Sequence, residues 1–153
     1  MAFDAFLKLD GIKGEGSGGA ITLESFSWGV SNTSSQATGG AGAGKAVFQD
    51  FSFTSALGSA APDLLLAAAQ GKVIKTGQLT ISERAPVLVI TFSDVIISSY
   101  KIDEAPLSIK LGDIGPHHEV RLGPPMERVS FNFSKFVFQT NGNVASGGPG
   151  GNI

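Results

Sequence analysis

Apolar residues along this chain recur at every second position more often than at helical spacing, in short runs broken by glycine, proline and asparagine. Phe3, Ala5, Leu7 and Leu9 share one face of a first strand that Asp10-Gly11 ends, and a turn over 14–19 follows. Residues 21–28 read as one strand, with Phe26 and Trp28 on one face and Ile21 and Leu23 on the other. Apolarity on both faces predicts cover on both, by the core and by a neighbour. Val47, Phe51 and Phe53 face one side of a strand over 47–53. Further strands are predicted over 73–82 and 87–98, joined by a hairpin connection at Glu83-Arg84-Ala85-Pro86. The last strand, over 128–139, carries Val129, Phe131 and Phe133 in one phase, then Phe136 and Phe138 in the other. The expectation is a regular strand whose two halves pack against different partners, rather than one corrected by a bulge at Ser134-Lys135.

One segment departs from the alternation. Pro62 suits a first helical position, Asp63 complements the helix N-terminus, 64–69 are good helix formers and Gly71 supplies a stop. The predicted helix, about 62–70, is too short to stand alone and must pack on a sheet. Three stretches fit neither period. Residues 31–45 form a Ser, Thr, Gly, Ala and Asn arm of a length that is usually functional or disordered. Residues 105–125 form a proline-containing excursion in which 107–111 reads as an extra strand. From Thr140 the chain is mostly Gly, Asn and Ser and is expected to be poorly ordered. The organisation is one domain over 1–139 with a glycine-rich tail over 140–153.

With 153 residues the chain can bury a core without staples, and it has no cysteine to make any. Its net charge of −2 lacks the basic surface that nucleic acid requires. Charged residues are only 16% of the chain, and the 21 glycines punctuate short strands. No apolar stretch approaches the ~20 residues that span a bilayer, which argues against membrane insertion, and the first residues lack a secretory signal pattern.

The most suggestive chemical motif is Gly39-Gly40-Ala41-Gly42-Ala43-Gly44-Lys45, which matches most of a phosphate-binding loop. Nucleotide chemistry also needs a hydroxyl after the lysine and a helix whose N-terminus faces the phosphates. Ala46 replaces the hydroxyl and the following residues alternate as a strand does, so no cofactor is assigned. His117 and His118 are adjacent, which points them apart in a strand and makes a poor metal site even with Asp113 and Glu119 nearby. Asn32-Thr33-Ser34 and Asn132-Phe133-Ser134 match a glycosylation pattern that means little without a signal. No catalytic constellation is visible, and the chain is not read as an enzyme. Alternating charges at Asp4, Lys8, Asp10, Lys13 and Glu15 suit a solvated face or an oriented interface.

Several blocks resemble the haemolysin-coregulated protein (Hcp) family of type VI secretion tube proteins. They are the strand and turn running Ala5-Phe6-Leu7-Lys8-Leu9-Asp10-Gly11-Ile12-Lys13-Gly14-Glu15, then Ser25-Phe26-Ser27-Trp28-Gly29. Gly42-Ala43-Gly44-Lys45 with Gln49-Asp50-Phe51-Ser52-Phe53-Thr54 follows in matching order, as do the helix and Val129-Ser130-Phe131-Asn132-Phe133. The resemblance implies a mainly β fold: a two-sheet antiparallel β-barrel with one short flanking α-helix, similar to phage tail tubes. It implies a homohexameric ring that stacks into a tube, with a sheath, a spike protein and effector proteins as partners. It also implies a protein that is cytoplasmic before firing and then secreted without a signal peptide. Trp28, Gly39, Gly42, Gly44, Lys45, Gln49 and Asp50 are the candidate subunit-interface residues. The rival readings are a phage-like tail-tube subunit, a monomeric ligand-binding β-barrel and, last, a nucleotide-dependent enzyme.

Overall fold

A computed structural model describes residues 4–32, 46–104 and 125–148. Its longest element is the strand β8, Pro86–Asp103, and the rest is arranged around it. Chain order among the described residues is β1 (Asp4–Leu9), a 3₁₀ turn (Ser17–Gly19), β2 (Ile21–Thr22), β3 (Ser25–Ser27), β4 (Val30–Asn32), β5 (Ala46–Phe48) and β6 (Phe51–Ala56). Then come α1 (Ala61–Gln70), β7 (Val73–Ser82), β8, β9 (Met126–Asn132), β10 (Lys135–Thr140) and β11 (Asn143–Gly147). The arm beyond Asn32, the excursion over 105–124 with its predicted strand at 107–111, and both histidines lie outside the described residues.

The strand order is β2-β1-β7-β8-β9-β6-β3, with β10 on β8 and β11 on β10, all antiparallel. One edge of β8 pairs with β7. The other edge pairs first with β10, from Val89 to Ser93, and then with β9, from Ile96 to Asp103. A single strand therefore belongs to two walls, one running β2-β1-β7-β8-β10-β11 and one running β8-β9-β6-β3. The mainly β, antiparallel architecture with one helix is what the sequence pattern predicts. Among the described residues the ladder is not a closed barrel, since β2 and β3 stand at its two ends. Those ends are consecutive in the chain, separated by Leu23 and Glu24. Leu23 N–H donates to Ala5 O on β1 at 2.9 Å, and Glu24 N–H donates to Thr54 O on β6 at 2.8 Å. The predicted single strand over 21–28 is thus two short strands, because the chain changes walls between them. Ile21 and Leu23 are buried, while Phe26 is 40% exposed and stacks on Phe51.

The change of wall along β8 has a cause that can be read from burial. In β7 the buried positions are Leu79 and Gly77, then Ile74; in β8 they are Ile90 and Phe92, then Val95 and Ile97. Along the end of β9, the link and β10 they are Phe131 and Phe133, then Phe136. Each strand spends two consecutive residues facing away from the core: Lys75-Thr76, Ser93-Asp94 and Ser134-Lys135. These pairs lie side by side, since Thr76 pairs with Ser93 and Ser93 with Lys135. The register on both edges of β8 is the same above and below this level. Three strands therefore slip phase together, and the sheet creases with Asp94 left out of both ladders but with no shift of register. Asp94 adopts a left-handed φ of 53, and its Oδ2 accepts from Ser134 Oγ at 2.7 Å while Ser134 N–H donates to Ser93 O at 2.9 Å.

This crease overturns the expectation that the two halves of 128–139 pack against different partners. Phe131, Phe133 and Phe136 are buried in one core and Phe138 packs against it. The slip that a lone strand could not absorb is matched in β8 and β7. The predicted strand over 47–53 is likewise divided, at Gln49-Asp50, into β5 on a separate two-stranded ladder with β4 and β6 in the main sheet. The predicted strand ending at 98 runs on to Asp103 past a bulge at Ser98, where the register with β9 shifts. The tail is ordered further than expected, because β11 pairs with β10 from Asn143 to Gly147. The helix is as anticipated: Pro62 sits in its first turn, and Gly71, with φ 62, ends it. Leu64 and Ala67 are its buried residues, and α1 packs on β8.

Substitutions at Asp94 test the crease. Asp94→Ala should cost about 1–2 kcal/mol, summing a lost hydrogen bond and the loss of a short polar side chain whose local bonding makes the left-handed region tolerable. Asp94→Asn should be close to neutral and Asp94→Gly intermediate, as read from urea midpoints; equal stability for all three would refute a local role.

Candidate subunit interface

The turn after β1 is built on two close approaches. A side chain at Gly14 would bring its Cβ within 2.5 Å of Ala20 O, and one at Gly16 within 2.7 Å of the same oxygen. Glycine at both positions lets the loop fold flat, with Gly14 N–H on Gly19 O and Gly16 N–H on Ala20 O. Glu15, between them, is thereby aimed at the approach to α1, where Oε1 accepts from Ser59 N–H at 3.2 Å. A carboxylate there also favours the positive end of the helix.

Trp28, the only tryptophan, lies between β3 and β4 in an aromatic cluster. Its ring centre is 5.3 Å from Phe136, 5.7 Å from Phe92, 5.8 Å from Phe133 and 6.3 Å from Phe48. Its indole N–H is buried and has no hydrogen-bond partner among the described residues. Gln49 holds the backbone on either side of it. With the amide oriented as the surrounding donors require, Oε1 accepts from Ser27 Oγ, Trp28 N–H and Gly29 N–H at 3.2, 3.2 and 3.3 Å. Gln49 N–H in turn donates to Gly29 O at 3.0 Å. Asp50 accepts from Ser98 Oγ at 2.6 Å, so the bulge on β8 anchors the start of β6.

Trp28, Gln49 and Asp50 therefore come together at the base of the β4–β5 hairpin, which carries the arm. Gly39, Gly42, Gly44 and Lys45 lie outside the described residues. The chain after Lys45 is a strand, β5, so it offers no helix N-terminus to a phosphate. Val30 and Val47 on this hairpin are 57% and 48% exposed.

Three features escaped the sequence reading. Leu65 and Leu66 on α1 are about half exposed; equal hydrophobicity around a short helix hides which leucines face out. Among the described residues the outer edge of β11 is unpaired, and the strand carries no charge or proline to blunt it. The third is a buried carboxylate, Glu127, on the core side of β9. Its Oε2 accepts from Ser55 Oγ at 3.0 Å and its Oε1 from Tyr100 hydroxyl at 2.9 Å. An alternating pattern marks position 127 as inward, but only a fold could supply its two hydroxyl partners. Burial, and then the bond to Glu127 and its charge, raise the Tyr100 phenol well above its ordinary value.

The family described as "Type VI secretion system effector, Hcp" matches residues 6–139. Among solved structures, one titled "Structure of a type six secretion system protein" is 26% identical, covers 96% of this chain and 93% of its own, and superposes with a TM-score of 0.73. A type VI secretion system effector from Yersinia pestis is 27% identical over 94% of this chain and 97% of its own, with a TM-score of 0.67. Hcp1 from Salmonella typhimurium is 25% identical over 95% and 93% of the two chains, with a TM-score of 0.68. No curated protein matches.

Two measurements follow from this geometry. Trp28 emission should shift to the red in Gln49→Ala while the far-ultraviolet spectrum is unchanged; an unshifted spectrum would show that Gln49 does not hold the indole. Tyr100 is the only tyrosine, so ultraviolet titration reads it alone. A phenol raised in the folded state stabilises fully below its unfolded value, and that stability is lost as pH climbs past about 10. Wild type should therefore lose more stability than Tyr100→Phe above that pH, and parallel curves would count against the Glu127 contact.

Proposed function

Because the chain belongs to the Hcp family of type VI secretion proteins, we propose that it is a structural tube subunit that closes into a homohexameric ring and stacks, rather than an enzyme. The family match across 6–139 carries this reading. Three properties of the fold support it. The β11 edge is unguarded, an aggregation hazard that ring closure removes. Valine and leucine side chains stand exposed on the β4–β5 hairpin and on α1. Low charge leaves outer faces rich in serine and threonine, bonded to each other in pairs such as Ser25–Thr54 and Ser52–Ser130.

In this reading Trp28, Gln49 and Asp50 set the angle at which the arm leaves the subunit. Gly39, Gly42, Gly44 and Lys45 supply contacts to a neighbouring subunit or ring. The subunit waits in the cytoplasm, is exported without a cleaved signal, and carries effector proteins in the lumen inside a sheath and behind a spike.

Native mass measurement tests the proposal directly. The expected species is a closed hexamer at micromolar concentration, and a monodisperse monomer would favour the ligand-binding barrel instead. Deletion of 39–44 should leave the far-ultraviolet spectrum and melting intact while weakening ring formation or stacking. Unchanged assembly and secretion would reduce the arm to a linker.

A further inference from the structure

The turn joining β10 to β11 consists of Asn141 and Gly142 alone, since Thr140 pairs with Asn143 across it. Both turn residues have a left-handed backbone, with φ 41 and 87. This is the type I′ geometry, whose twist suits the flanking strands. Both residues are exposed, and among the described residues the Gly142 N–H makes no backbone hydrogen bond. Glycine places no side chain beside that nitrogen. The other described asparagines, Asn32, Asn132 and Asn143, are followed in sequence by Thr33, Phe133 and Val144, each bulkier than glycine.

We propose that Asn141 is a site of spontaneous deamidation that ages the subunit by releasing its C-terminal strand. Gly142 N gives its proton to solvent base and bonds to Asn141 Cγ. The Cγ–Nδ2 bond breaks and ammonia leaves, taking up a proton, so that a cyclic imide spans the two residues. Water then adds to either imide carbonyl and opens the ring to aspartate or to isoaspartate. Water is the only co-reactant, and nothing is oxidised or reduced.

The two products act differently. Aspartate changes charge only, and Asp-Gly suits the same turn. Isoaspartate routes the backbone through the side-chain carbon and lengthens it by a methylene. A two-residue turn has no slack for that, so the pairing of Thr140 with Asn143 is lost. Beyond the turn β11 is held by its ladder to β10 and by the buried Gly148 against Ser134 rather than by side chains, because Asn143 to Ser146 are exposed and Gly147 is only half-buried. Its departure strips Phe136 and Phe138 of their partners Gly147 and Ala145 and leaves β10 as a bare edge.

The experiment is ageing of the full chain in mildly alkaline buffer at physiological temperature, followed by peptide mass spectrometry at intervals. Conversion at Asn141 should outpace that at Asn132 and Asn143 several-fold and yield both products. Hydrogen exchange on the isoaspartyl fraction should show lost protection over 143–147, while freshly prepared Asn141→Asp keeps that protection. Conversion at Asn141 no faster than at the other two overturns the proposal. So does an isoaspartyl chain with β11 still protected, or an Asn141→Asp variant with β11 already released.

Discussion

The fold depends on one strand serving two walls. β8 is paired on both edges for much of its length, and its outer partner changes from β10 to β9 where Asp94 takes its left-handed backbone. An antiparallel sheet keeps an apolar face only if neighbouring side chains point the same way at each level. A change of phase in one strand alone would turn its phenylalanines outward. The change is tolerated because β7, β8 and the β9–β10 pair make it at the same level, with polar residues at each outward position. The core then stays continuous from Leu79 and Ile90 on one side to Phe51 and Phe53 on the other.

Around that core, polar groups hold the places where the chain leaves regular structure. Glu15 braces the loop before α1, Gln49 braces the backbone around Trp28, and Asp50 braces the Ser98 bulge. Each bond is individually modest, about 1 kcal/mol net. Their value lies in position: Glu15 holds the approach to α1, while Gln49 and Asp50 hold the base of the β4–β5 hairpin. Glu127 is different in kind, a carboxylate inside the apolar face that is tolerable because each of its oxygens meets a hydroxyl.

How much of this was legible in the sequence depends on whether the signal is local. The helix was legible because Pro62, Asp63 and Gly71 act within one turn of their own positions. The hairpin before Pro86 was legible for the same reason. The division of 21–28 was not, because it rests on hydrogen bonds to Ala5 and Thr54, which lie far away in the chain. The phase slip between Phe133 and Phe136 was visible, yet its resolution needed a matching slip between Phe92 and Val95, and single-strand reasoning misplaced it. The tail was misjudged on composition: Gly and Asn read as disorder, whereas Asn141-Gly142 is the turn that brings β11 back. Of the candidate interface residues, named on the family resemblance, Trp28, Gln49 and Asp50 lie near one another, a proximity that no local sequence pattern marks. The exposed leucines of α1 carried no sequence signal that separated them from the buried Leu64.

The double pairing of β8 also makes the subunit mechanically uneven. Antiparallel ladder bonds lie across the strand direction, so a pull along β8 must shear the bonds on both edges together, and the load is shared. A pull on the C-terminus acts at the free end of β11, whose bonds to β10 then face the load one at a time and part like a zip. The fold is thus stiff along its central strand and yields first at β11.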